Sequence, residues 1–112
     1  MAGLTLEDLL EVARRLFRDW ETKTLLITLG EHGMLLLQPG APPYHTPTRA
    51  KEVFDVSGAG DTAIAVFTLG LASGAAPAVA AELANCASGI VVGKLGTATV
   101  TAAELRAECA GL

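Results

Sequence analysis

The run Asp55-Val-Ser-Gly-Ala-Gly-Asp-Thr62 combines what phosphate chemistry needs, a glycine-bearing turn with a carboxylate beside it. Gly58 and Gly60 let the backbone turn tightly and bring amide N–H groups to an anion with no side chain between them. The Ala-rich segment from Thr62 to Ser73 reads as a helix. Its N-terminus would aim unpaired N–H groups and a positive partial charge at whatever lies over the glycines. Asp61 is then either a helix-capping carboxylate or a base beside a bound phosphate. The second alternative makes this a phosphoryl-transfer site, in which Gly60→Val is expected to damage the loop and fill the space of the phosphate.

Other glycine-loop chemistries fit less well. The Gly58-x-Gly60-x-x-Ala63 spacing matches a dinucleotide fingerprint. That fingerprint requires an acid at the end of a strand about twenty residues on, and here the candidate, Glu82, falls in a helical stretch. Gly89-Ile-Val-Val-Gly-Lys94 is one residue short of a P-loop and has Leu95 where Ser or Thr is needed. A plain glycine turn with Asp61 as a cap stays open on the pattern alone.

The elements that would position the loop are legible around it. Leu6, Leu9, Leu10, Ala13, Leu16, Phe17 and Trp20 recur at helical spacing from Thr5 to Trp20, a core-facing stripe opened by Thr5 and Asp8 as a capping pair. Thr24 to Leu29 and Met34 to Gln38 read as strands of a hairpin turned by Gly30-Glu-His-Gly33. Pro39 to Pro47 is a connection with a brief extended piece at Tyr44 to Thr46. Ser73-Gly74 stops the helix after the glycine loop, and Pro77 opens another that runs to about Val92. Gly93 to Gly96 is a loop, and Thr101 with Glu104 caps a short last helix. This is a lopsided α/β layer with few strands, expected to be part of a larger α/β domain or a subunit completed by a partner.

Composition narrows the function classes. The chain has 112 residues, enough for one domain over 1–112. It is 51% hydrophobic but contains one Trp, one Tyr and three Phe, a mix suited to helices packed on a sheet. A net charge of −4 argues against nucleic acid or an anionic membrane as partner. No apolar run reaches the roughly 18 residues of a membrane span, and the acidic amphipathic opening is not a signal peptide. Cys86 and Cys109 read as isolated thiols with no framework spacing, which points to a reducing, cytoplasmic compartment, with Cys86 a small buried hydrophobe. His32 and His45 lack partners at metal spacing. Lys94 faces phosphate or is simply solvated, and Asn85 is a core amide or a ligand contact.

The segment Val53-Phe-Asp-Val-Ser-Gly-Ala-Gly-Asp-Thr62 resembles the Asp-Thr-x-Gly-Ala-Gly-Asp motif of the ribokinase-type (PfkB) carbohydrate kinases, with Val56 where Thr is usual. Upstream, Ile27-Thr-Leu-Gly-Glu-His-Gly-Met34 resembles the family's Thr-x-Gly-x-x-Gly segment. Downstream, the stretch 83–97 resembles its Asn-bearing helix and following loop. Within the family, residues 91–100 most resemble the kinase domain of the bifunctional heptose-7-phosphate kinase/heptose-1-phosphate adenylyltransferases. The likeness covers nearly the whole chain, but only the C-terminal part of such a domain.

The resemblance implies an incomplete ribokinase-like three-layer α/β fold and ATP-dependent transfer to a sugar hydroxyl, with heptose 7-phosphate the acceptor on the route to ADP-heptose and lipopolysaccharide core. Asp61 would be the general base, and Gly58 with the amides of Ala59, Gly60 and Asp61 would form the anion hole. Thr28, Gly30 and Gly33 would border the nucleotide, and Asn85 would lie near its adenine or ribose. Asp55 and Ser57 resemble a monovalent-cation site. ATP and Mg²⁺ are the implied cofactors, with K⁺ the cation, and the partners are a sugar phosphate together with a second copy or a complementary kinase half. The family's Mg²⁺-linked Asn-x-x-Glu pair does not occur; Asn85 is the only Asn in the chain. The alternative function is a truncated, non-catalytic remnant or association module that at most binds nucleotide.

Overall fold

The Thr5 hydroxyl accepts from the Asp8 N–H while the Asp8 carboxylate accepts from the Thr5 N–H, a capping box that starts helix α1 (Leu6–Trp20) where the sequence places it. The computed structural model describes residues 5–49, 53, 56–94 and 98–110. Three strands follow, β1 (Leu25–Thr28), β2 (Met34–Leu37) and β3 (Tyr44–Thr46), then helices α2 (Ala59–Ala72), α3 (Pro77–Val92) and α4 (Ala102–Glu108). The expected hairpin is present, with a short 3-10 turn at Gly30–His32, and the extended piece at Tyr44 forms a third strand.

The sheet is antiparallel in the order β1-β2-β3, with Leu26 opposite Leu36 and Thr28 opposite Met34. β2 is buried on both faces, which explains its unbroken Met-Leu-Leu-Leu run. Met34 and Leu36 join Ala63, Phe67, Ala80, Ala81 and Ala84 in one core, with Leu26 and Val66 packed against it. Leu35 and Leu37 point the other way, into a second core with Ala13, Leu9, Leu10 and Phe17 of α1. One helix covers one face and a helix pair covers the other. That gives three layers.

α2 and α3 pack closely because their contact residues are small; a Cβ placed at Gly70 would stand 3.1 Å from that of Ala80. Pro77 occupies the first turn of α3, where a missing N–H costs nothing. A second capping box, Thr101 with Glu104, opens α4.

Three expectations are corrected. α2 begins at Ala59 rather than Thr62, because Gly58, at φ 79°, makes the left-handed turn and Ala59-Gly60 then enter the helix. The α1 stripe is core only at its centre: Ala13 is buried with Leu9, Leu10 and Phe17 packed beside it, whereas Leu6 and Trp20 are 52% and 71% exposed. Cys86 and Cys109 are not isolated thiols. They form a disulfide with Cα atoms 6.3 Å apart, joining α3 to the end of α4 across 23 residues of sequence. That bond removes the ground for inferring a reducing compartment from the cysteines.

Candidate functional site

The N-terminus of α2 is open toward solvent. Gly58 is its N-cap, and no side chain caps the helix. The Ala59 N–H donates to the Val56 carbonyl at 3.2 Å, while the Gly60 and Asp61 N–H groups have no backbone acceptor among the described residues. Asp61 therefore does not act as the N-cap. It lies in the first helical turn with its side chain exposed, beside the partial positive charge of the helix end. A Cβ at Gly60 would meet nothing within 4 Å, so the loop itself accommodates a side chain there and only the space above it would be lost.

Next to this helix end is a cavity of about 220 Å³ lined by Thr28, Gly30, Gly33, Ala59, Gly60 and Asn85, together with Met34, Thr48, Val56, Ala63, Ser88, Gly89 and Val92. Six candidate residues drawn from separate sequence segments thus share one wall. Gly58, Asp61 and Ser57 lie outside that lining, and Asp55 lies outside the described residues. The volume is below the roughly 300–1,000 Å³ of sites that enclose a drug-sized ligand.

Each wall has a local cause. Thr28 and Met34 are register partners on the face that looks toward α2 and α3. Gly33, at φ 86°, is where β3 crosses close; a Cβ there would overlap the Thr46 carbonyl. His45 Nε2 is hydrogen-bonded to the His32 carbonyl at 2.6 Å, and the buried Thr46 hydroxyl donates to the Met34 carbonyl at 3.4 Å. Asn85 is 4% exposed and its amide donates to the Pro47 carbonyl, so it is a satisfied core amide and a cavity wall at once. Ser88 was not singled out by its type. Its hydroxyl donates to the Ala59 carbonyl at 3.0 Å and ties α3 to the glycine turn. The signal for it was helical spacing, since Asn85, Ser88, Gly89 and Val92 fall on one face of α3.

Among the described residues, no three His, Cys, Asp or Glu side chains are grouped to hold a metal.

The sequence matches the pfkB family carbohydrate kinase pattern over residues 1–104. The chain belongs to that family. It is 59% identical over 92 residues to the bifunctional protein HldE of Azotobacter vinelandii, a match covering 82% of this chain and 19% of that protein. Among solved structures, the Thermotoga maritima ribokinase superposes with a TM-score of 0.79 at 28% identity, over 95% of this chain and 35% of that one. The Arabidopsis thaliana ribokinase complexed with ribose and ATP gives 0.75 at 26% identity, over 83% and 30%. The fold of this pfkB-family chain is thus a partial ribokinase-like α/β fold. The chain spans about a fifth of the length of the curated relatives it matches.

Proposed function

We propose that residues 1–112 are a single domain, the C-terminal nucleotide-binding part of a ribokinase-like kinase, and that they serve ATP-dependent phosphoryl transfer to a sugar hydroxyl. The observation that carries this reading is the cavity that gathers Thr28, Gly30, Gly33, Gly60 and Asn85 beside the open N-terminus of α2. Heptose 7-phosphate is the proposed acceptor, from the likeness of residues 91–100 and the 59% identity to a bifunctional protein HldE.

In this mechanism the Gly60 and Asp61 N–H groups donate to oxygens of the moving phosphoryl group, and the α2 dipole adds to that stabilisation. The Ala59 N–H joins them only by leaving the Val56 carbonyl. Asp61 accepts the proton of the sugar hydroxyl. As a weak base it does so late, once the phosphoryl group has begun to leave its donor. Mg²⁺, bound on the phosphates, would neutralise their charge. A potassium ion at Asp55 and Ser57 would brace the glycine loop. ATP and sugar phosphates as substrates would place the chain in the cytoplasm.

The test is calorimetric titration of the purified chain with a non-hydrolysable ATP analogue in Mg²⁺ and K⁺. Binding that Gly60→Val abolishes and Asp61→Asn preserves supports the reading. A folded sample that does not bind contradicts it.

The outer face of α2 favours a second element of the proposal, that the chain works with a second copy or a complementary kinase half. Ile64 and Leu69 on that face are 62% and 68% exposed, and large apolar side chains grouped on a surface mark a place where another surface can pack.

A further inference from the structure

The Cys86–Cys109 disulfide has no part in the kinase reading, and it sits where it can control one element. Cys86 belongs to the buried run of α3, and Cys109 closes α4. α4 itself has only seven residues, none of them buried, and a helix that short is not stable alone. Two of its polar ties to the rest of the chain reach solvent: Lys94 Nζ is 2.7 Å from a Glu104 carboxylate oxygen, with both side chains about one-third exposed. The Arg49 guanidinium reaches the Glu108 carbonyl only at 3.5 Å. Surface ion pairs of this kind hold weakly.

We propose that Cys86 and Cys109 form a thiol–disulfide switch that fastens α4 to α3 when oxidised and releases it when reduced. Cys86 also lines an open cavity of about 1090 Å³ between α3 and α4, which gives a small thiol a route to the buried sulfur. The reductant is a low-molecular-weight thiol. Its thiolate attacks one Sγ and the other Cys leaves as thiolate; a second thiol then displaces the mixed disulfide. Two thiols become one disulfide, and two protons and two electrons pass to the cysteines. Released α4 frees Lys94 from Glu104 and widens the cavity.

The experiment is hydrogen–deuterium exchange of the whole chain, equilibrated with reduced or oxidised glutathione and with disulfide state read by intact mass. Amide protection over 105–109 is expected to fall at least about ten-fold on reduction, while 84–91 in α3 stays protected. Cys109→Ser is expected to match the reduced protein in both buffers. Equal protection of α4 in verified oxidised and reduced samples overturns the proposal. So does a chain that forms no disulfide on oxidation, or one whose α3 is lost together with α4 on reduction. None of these outcomes depends on nucleotide binding, so the kinase reading stands or falls separately.

Discussion

Asp61 makes no hydrogen bond or ion pair among the described residues, yet it is set at a helix N-terminus where two N–H groups are also unused. Removing its charge should therefore cost the fold little and the chemistry much. In a kinase assay on a preparation that supplies the sugar pocket, Asp61→Asn is expected to lower the rate roughly 10²–10⁴-fold with nucleotide affinity nearly unchanged. Gly60→Val separates the same two properties in the other direction. Open space around its Cβ position predicts an unaltered melting temperature together with lost nucleotide binding. Gly33 is different, since its positive φ and the nearby Thr46 carbonyl leave no room for a methyl group. Gly33→Ala should destabilise the chain by at least about 2 kcal/mol in denaturant unfolding.

At the scale of elements, α4 of the oxidised chain also carries a small contribution that titrates. The Lys94 ammonium, and then the Thr101 N–H, hold the Glu104 carboxyl below its ordinary range. A lowered carboxyl contributes stability above the unfolded-state value and loses it as pH falls through the folded one. Exchange protection of α4 is accordingly expected to be full at neutral pH and to drop on acidification below the ordinary glutamate range, and Glu104→Gln should remove that dependence. The starts of α1, α3 and α4 were legible in sequence because each is set locally, by Thr5 with Asp8, by Pro77 and by Thr101 with Glu104. The start of α2 was not, because Ala59-Gly60 reads as loop until Gly58 is seen to take the left-handed turn alone. Gly60 was legible from the glycine turn itself, whereas Thr28, Gly30, Gly33 and Asn85 were candidates only through the family resemblance. Their meeting at one cavity depends on the Thr28–Met34 register and on Ser88 holding α3 to α2.

At the scale of the whole chain, long-range pairings were the illegible part. Nothing local marks Cys86 and Cys109 as partners across 23 residues, and nothing in the α1 stripe shows that Leu6 and Trp20 stay exposed. The core is thin: Leu36, 1% exposed in the central strand, packs in the cluster shared by the sheet and the α2–α3 pair. Leu36→Ala should cost about 2–5 kcal/mol and unfold much of the sample at room temperature. The exposed Ile64 and Leu69 of α2 predict association, so light scattering should show a mass that rises with concentration and falls in Ile64→Lys/Leu69→Lys. On the proposed function, the open end of α2 receives a nucleotide phosphate. The most direct measurement is the backbone amide spectrum of the ¹⁵N-labelled chain during titration with a non-hydrolysable ATP analogue. Saturable shifts concentrated at Gly60, Asp61 and the facing Gly30 and Asn85 are predicted; a folded spectrum in which those amides stay in place would contradict the account.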